Sequence, residues 1–233
     1  MTAEKSLTIV LNERPTGRIV AGKTFREELV DAPKEADLKD GQVLFETYYL
    51  SMDPTMRGWL KDVRSYLPPV QIGEVMRGTG VGRIVASKNP MFKAGDLATG
   101  ICGWRELTIL GEKEIWPPQL APGQQLLPEL KVHDLAGVLS ISQYNPSNVV
   151  ESYQNFSKVT AMRIRMEGFI VLDYMREWPA ASQQLGKWIS EGKIKPKTTI
   201  IKGGLKKAEE ALIGLYDGVN YGKLVVEVKE PPV

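Results

Sequence analysis

Apolar and polar positions alternate in short runs along the first 110 residues, a spacing typical of β-strands rather than helices. Three runs are rich in β-branched or aromatic side chains and predict strands at residues 6–11, 25–30 and 43–50. Further strands are predicted within 74–87 and 96–110, with glycine turns between them. Many short strands at this spacing indicate a small barrel.

The pattern changes after residue 110. Residues 111–130 are rich in proline and glutamine and lack apolar periodicity, so they predict a connecting loop. Helical spacing of apolar positions returns later, with Pro179 suited to a first helical turn. The elements predicted after the loop are a strand at 136–142, a strand at 166–174, a helix at 178–191, a helix near 205–215 and a strand at 222–228.

Composition limits the function. The 233 residues carry 30 Lys and Arg against 28 Asp and Glu, so no concentrated charge favours nucleic acid or an anionic membrane. Neither a secretory signal nor a membrane-spanning apolar run is visible in the sequence. One His and one Cys cannot supply a zinc cluster within the chain, and the single Cys102 fits a reducing, cytoplasmic compartment.

A short motif, Asp-Pro-Thr-Met-Arg at residues 53–57, places a carboxylate, a hydroxyl and a guanidinium close together. One interpretation is structural, an Asp53–Arg57 pair that fixes a turn between strand and helix. The other is functional, with Thr55 and Arg57 facing a pocket and holding a carbonyl oxygen, a task that suits the donor fork of arginine.

Other side chains are candidates for the same pocket. Tyr66, Tyr144 and Tyr174 each offer a phenol that can donate to an enone oxygen, although tyrosine is also common at the edge of a core. Trp59 and Met76 suit an apolar pocket and equally an ordinary core. Strand-like residues follow the glycines of 78–82, which predicts a tight β turn rather than a nucleotide loop.

Several segments resemble the zinc-independent branch of the medium-chain dehydrogenase/reductase superfamily, which includes leukotriene B4 12-hydroxydehydrogenase, prostaglandin reductase and alkenal double-bond reductases. The segments that carry the resemblance are YLSMDPTMRGWL at 49–60, PPVQIGEVMR at 68–77, GRIVAS at 82–87, ISQYN at 141–145, RMEGFIVLDY at 165–174 and NYGKLVV at 220–226.

The resemblance implies a mainly β fold with α-helices, built from a GroES-like barrel domain and part of a Rossmann α/β domain. It divides the chain into a barrel domain at 1–130, a remnant of the nucleotide-binding domain at 131–200, and a helix and strand at 201–233 that return to the barrel. Members reduce enones with NADPH, and Phe169, Val171 and Asn220 match positions on the nicotinamide side.

The departure from the family lies between Gly137 and Ser142, where the glycine-rich nucleotide-binding segment is missing. We therefore expect no cofactor, and favour a non-redox enzyme that isomerises, cleaves or cyclises a polyketide-like α,β-unsaturated carbonyl compound, including by a pericyclic route. Two alternatives stay open, an NADP-dependent double-bond reductase and a non-catalytic binding module. Strand 166–174 would leave an uncovered apolar edge, which predicts a homodimer.

Overall fold

The structure, a computed structural model, describes residues 4–117, 157–165 and 171–232. Its strands are β1 Lys5–Leu11, β2 Phe25–Asp31, β3 Val43–Ser51, β4 Gly80–Ser87, β5 Leu97–Gly100, β6 Leu107–Leu110, β7 Ile115–Trp116, β8 Thr198–Ile201 and β9 Lys223–Glu227. Its α-helices are α1 Met56–Trp59, α2 Ser157–Ala161, α3 Trp178–Ser190 and α4 Ala208–Asp217, with 3-10 turns at Glu35–Asp37, Val171–Tyr174 and Leu205–Lys207. The mainly β fold predicted from the sequence is confirmed.

Strand β3 organises the larger sheet, whose path runs β7-β5-β4-β3-β9-β8. One edge of β3 pairs with β4 in antiparallel register. The other edge pairs with β6 along Val43–Glu46 and then with β9 along Tyr49–Ser51. Because β3 is buried at nearly every position, its aromatic and β-branched residues hold both halves of the sheet on one core.

The C-terminal residues join this sheet as a β-α-β unit. Strands β8 and β9 are parallel, and α4 connects them. Helix α4 buries Ala208, Ala211 and Leu212 and ends at Gly218, which adopts the left-handed conformation at φ 73°. Since β8 lies beside β9 in the same sheet, the domain boundary predicted at residue 200 falls inside a strand.

Three local predictions differ from the structure. Strand β7 forms within the predicted loop at 111–130, and β8 forms where the sequence predicted no element. Pairing with a neighbouring strand stabilises such short segments, which lack periodicity of their own. Residues 171–174 form a 3-10 turn rather than the end of a strand. The strand pairing across a dimer axis is therefore wrong for those residues, and association of two copies stays a prediction. The strand at 136–142 lies outside the described residues.

The glycines of residues 78–82 allow β4 to lie close to β3. A Cβ built on Gly82 would lie 1.9 Å from the Glu46 carbonyl oxygen, and one on Gly80 would lie 2.7 Å from the Tyr49 oxygen. The register between β3 and β4 shifts at two places, and the shift between Thr47 and Tyr49 lies opposite Gly82, where the two backbones come close. The predicted β turn at these glycines is wrong, because residues 80–82 already belong to β4 and pair with its neighbours, and the same packing leaves no nucleotide loop there.

We predict that Gly82→Ala destabilises the fold by about 3 kcal/mol or more, because the methyl group meets backbone atoms of β3 that cannot move aside. Gly58→Ala is the matched control, since nothing lies within 4 Å of a Cβ at that helical position. The control should stabilise the protein by about 0.5–1 kcal/mol. Urea unfolding measures both variants, and equal stabilities would contradict the close approach.

Candidate functional site

The segment from residue 52 to residue 70 leaves the end of β3 and carries most of the predicted site residues. Its first turn is built by Asp53, whose Oδ1 accepts hydrogen bonds from the Thr55 backbone N–H at 2.8 Å and the Thr55 hydroxyl at 2.6 Å. This side-chain turn begins α1. The Thr55 hydroxyl therefore donates its proton to Asp53. Toward a ligand, its oxygen can act only as a hydrogen-bond acceptor.

Trp59 and Tyr66 form a hydrogen-bonded pair on the same segment. The Trp59 Nε1–H donates to the Tyr66 hydroxyl at 3.2 Å, and the Val70 N–H donates to the Trp59 carbonyl at 2.9 Å, which closes the loop. Trp59 packs partly buried against the main core, whereas Tyr66 is 46% exposed. In the described part of the chain no acceptor takes the phenolic proton of Tyr66, so this phenol can donate to a ligand.

Arg57 lies on the inner side of α1. Its side chain is 1% exposed, and Nη2 donates to the Pro15 carbonyl at 3.0 Å and the Gly17 carbonyl at 2.6 Å. Burial lowers the pKa of this guanidinium, an effect that Tyr216 partly offsets. Arg57 thus holds α1 against the loop at residues 15–17. In this position it cannot donate to a ligand beside Tyr66.

Asp53 does not pair with Arg57, which corrects the structural interpretation of the motif. The Asp53 Oδ2 instead lies 3.7 Å from the Lys223 Nζ at the start of β9. Lys223 and Tyr216, whose hydroxyl donates to the Pro54 carbonyl at 2.7 Å, are neighbours of this turn that sequence reasoning missed. They lie more than 160 residues away along the chain, and no local pattern signals such contacts.

The remaining candidates lie elsewhere. Met76 is completely buried in the main core, so it presents no surface to a ligand in this structure. The Asn220 Nδ2 donates to the Gly222 carbonyl in the turn before β9. Tyr174 is 46% exposed on the 3-10 turn that Val171 begins, and the side chain of Val171 is not among those described. Tyr144 and Phe169 lie outside the described residues.

Neither of the glycine-rich segments at 78–82 and 203–204 fits a dinucleotide. The segment at 78–82 enters β4, and at Gly80 and Gly82 it lies against the backbone of β3. At the second segment, before α4, the Gly204 N–H donates to the Glu227 carbonyl and a Cβ on Gly203 would lie 3.1 Å from the Lys207 side chain. A pyrophosphate needs open backbone N–H groups at a helix start, which these two segments do not provide.

Residues 4–117, 157–165 and 171–232 hold neither a metal-binding cluster nor a membrane-spanning helix. Within them, no three His, Cys, Asp or Glu side chains gather closely enough to hold a metal ion. No helix in the same ranges combines the length and apolar character needed to cross a bilayer.

Comparison with known proteins assigns the family. Residues 7–117 match the family model described as the N-terminal domain of oxidoreductase. Over 100 residues the chain is 46% identical to the NADPH-dependent curcumin reductase of Escherichia coli (strain K12). These matches support membership of the zinc-independent medium-chain dehydrogenase/reductase superfamily for the part of the chain that they cover. That match covers 43% of this chain and only 28% of the Escherichia coli enzyme.

Two longer matches extend over most of this chain. The NADP(+)-dependent 2-alkenal reductase of Nicotiana tabacum is 23% identical over an alignment of 323 residues, which covers 84% of this chain and 94% of that enzyme. The crystal structure of CurA in complex with NADPH from Vibrio vulnificus shares the fold with a TM-score of 0.77 at 22% identity, covering 97% of this chain and 100% of that one. Since this chain has 233 residues, many aligned positions of the tobacco enzyme have no counterpart in it.

Cys102 is completely buried, and burial raises the pKa of its thiol from the ordinary 9.0 to about 11. We predict that at pH 8 the native protein reacts with a thiol-specific disulfide reagent roughly 100-fold more slowly than the urea-unfolded chain, because the folded state holds less thiolate and excludes the reagent.

The raised pKa of Cys102 also predicts a pH dependence of stability. The unfolded chain loses the thiol proton at a lower pH than the folded one, so the contribution of Cys102 to stability falls as pH rises between about 9 and 11. Fast native labelling would contradict the first prediction, and unfolding free energies of wild type and Cys102→Ala that change equally between pH 9 and 11 would contradict the second.

Proposed function

We propose that this chain binds an α,β-unsaturated carbonyl compound beside Trp59 and Tyr66 and converts it by redox-neutral chemistry. Isomerisation, elimination and cyclisation, including a pericyclic cyclisation, are the reactions of this class. Each passes through a state in which electron density moves onto the carbonyl oxygen. A donor aimed at that oxygen lowers the barrier, and the reaction leaves the oxidation level of the molecule unchanged.

The observation that carries the proposal is the hydrogen bond from Trp59 to Tyr66. Because the Tyr66 oxygen accepts a hydrogen bond, its own O–H becomes a stronger donor through mutual polarisation. The phenol is half exposed, while the indole ring beside it is anchored on the core and offers an apolar face to a conjugated substrate. A rigid donor next to an apolar wall suits a polarised enone.

The redox-neutral part of the proposal rests on the two glycine-rich segments. Those at 78–82 and 203–204 are occupied by the protein's own backbone and side chains, so neither offers a place for the pyrophosphate of a dinucleotide. Hydride transfer requires the nicotinamide to be held in a defined near-attack geometry. We therefore assign the chemistry to polarisation by Tyr66, with proton movement inside the substrate or to solvent.

We predict that Tyr66→Phe lowers the turnover of an enone isomerisation or cyclisation about 100-fold, since it removes the donor while keeping the ring. Trp59→Phe keeps the apolar wall but loses the N–H that polarises Tyr66, so we expect a smaller loss, about 10-fold. Turnover is followed by loss of the conjugated-enone absorbance, with product mass unchanged from that of the substrate or reduced by the eliminated fragment.

Tyr48→Phe is the matched control for these variants. Tyr48 is 1% exposed on β3, and its hydroxyl has no hydrogen-bond partner within the described residues, so its loss should leave turnover and stability unchanged. If Tyr66→Phe behaves like Tyr48→Phe on every unsaturated carbonyl that the wild type converts, the assigned role of Tyr66 is wrong.

A second candidate function is NADPH-dependent reduction of the double bond, which the 46% identity to the curcumin reductase favours. A titration of the pure protein with NADPH, followed by nicotinamide fluorescence, separates the two. We predict no saturable signal and no NADPH oxidation when an enone is added. Saturable binding together with a product two mass units heavier than the substrate would establish the reductase and overturn the redox-neutral proposal.

A further inference from the structure

A hydroxyl and a carboxylate lie one helical turn before the Trp59–Tyr66 pair. The Thr55 hydroxyl donates to the Asp53 Oδ1 at 2.6 Å, a short hydrogen bond of the kind that a carboxylate accepts. Both residues are partly exposed, so a ligand can reach the Thr55 oxygen. That oxygen keeps its lone pairs free for a proton from outside the pair.

Thr55 and Trp59 present their side chains on the same face of α1. The Trp59 N–H donates to the Thr55 carbonyl at 3.3 Å, which is the i to i+4 bond of an α-helical turn. Side chains at this spacing stand one above the other, with Cβ atoms about 6 Å apart. The hydroxyl–carboxylate pair therefore lies beside the indole whose Nε1–H reaches Tyr66.

The two pairs offer complementary proton chemistry. Tyr66 donates its phenolic proton, which suits a carbonyl oxygen. The Thr55 oxygen can take up a proton while its own proton passes to Asp53. Moving the double bond of an enone requires a donor at the oxygen and a base at the γ-carbon. These two atoms are only a few bonds apart, so one small molecule can contact both pairs at once.

We propose that Thr55 and Asp53 form a proton relay that moves the double bond of an enone between the α,β and β,γ positions. The relay rests on the proposed function, because Tyr66 must hold the carbonyl oxygen, and it selects isomerisation from the reactions of that class. Thr55 contacts the substrate, and Asp53 acts through Thr55.

The relay balances in protons and electrons. In the first step the Thr55 Oγ1 takes the γ-proton, the Thr55 proton goes to the Asp53 Oδ1, and the C–H electron pair becomes the new double bond of a dienolate. Tyr66 donates to the negative oxygen of that dienolate. In the second step the proton returns through Thr55 to the α-carbon. Both side chains then regain their starting state, and the substrate keeps all its atoms and its oxidation level.

The geometry around Asp53 fits this task. Its Oδ1 faces Thr55, from which it also accepts the backbone N–H at 2.8 Å, while its Oδ2 faces the Lys223 Nζ at 3.7 Å. Contacts on both oxygens fix the orientation of the carboxylate. The inner proton transfer therefore runs along a preformed hydrogen bond within the reach that general base catalysis requires.

The test is hydrogen exchange in heavy water with mesityl oxide, an α,β-unsaturated ketone that has γ-hydrogens, followed by NMR. Because Thr55 and Asp53 are partly exposed, the relay proton exchanges with solvent between turnovers. We predict that the wild type brings deuterium into the γ-position of mesityl oxide and converts its β,γ isomer, isomesityl oxide, into mesityl oxide.

Two variants separate proton transfer from the structural turn. Thr55→Val loses the hydroxyl but keeps the backbone N–H bond to Asp53. Asp53→Asn keeps an oxygen that can accept from that N–H, so the turn is preserved, but the amide cannot take up the proton. Each should lower kcat about 100-fold with little change in KM, and the double variant should be no slower than either single one, because the two groups act as a unit. Thr55→Ser restores the hydroxyl and should retain most of the rate.

Thr8→Val is the matched control. Thr8 is 3% exposed on β1, and its hydroxyl has no hydrogen-bond partner within the described residues, so its loss should leave the exchange rate and the melting temperature unchanged. Thermal unfolding checks every variant. If Asp53→Asn does not fold, Thr55→Val against Thr55→Ser decides the matter alone.

The outcomes distinguish this relay from the proposed function on which it rests. Turnover of an enone that Tyr66→Phe abolishes and Thr55→Val leaves intact would overturn the relay alone. So would a wild type that cyclises or cleaves an unsaturated carbonyl compound but neither exchanges mesityl oxide nor isomerises isomesityl oxide. A wild type that converts no unsaturated carbonyl compound would overturn both.

Discussion

Strand β3 is the element on which the rest of the structure depends. It is the one described strand that pairs with three others, and it uses successive halves of one edge for β6 and β9. That division joins strands from opposite ends of the chain into a single sheet and buries Phe45, Leu50 and Leu224 in one core. The close approach of β4 at Gly80 and Gly82 follows from the same crowding, because β3 shifts register twice along their contact.

The end of β3 determines the geometry of the candidate site. Where the strand stops, Met52 donates its N–H to the Leu224 carbonyl, so the chain is still held to β9 when it turns at Asp53. Asp53 then begins α1, and α1 directs Arg57 inward and Trp59 toward Tyr66. The chemistry proposed for Tyr66 draws on this segment alone, whereas hydride transfer also requires a nicotinamide held in place by a nucleotide-binding site.

Elements with a pattern in their own residues were predicted from the sequence. Elements and contacts that depend on residues far away along the chain were missed. The aromatic and β-branched run at 43–50 and the amphipathic residues of α3 and α4 carry their own pattern, and each forms the expected element. Strand β8, with only Thr198–Ile201, forms because β9 lies beside it. The same holds for the site. The turn formed by Asp53 and Thr55 follows from neighbouring residues. The contact of Lys223 with Asp53 and the hydrogen bond from Trp59 to Tyr66 depend on tertiary packing.

Arg57 links stability to the site through a single short helix. Its hydrogen bonds to Pro15 and Gly17 hold the 15–19 loop against α1, and Arg14 reinforces that contact by donating to the Leu60 carbonyl at 3.0 Å. Trp59 lies between these two anchors, so the position of its indole depends on how firmly the loop is held.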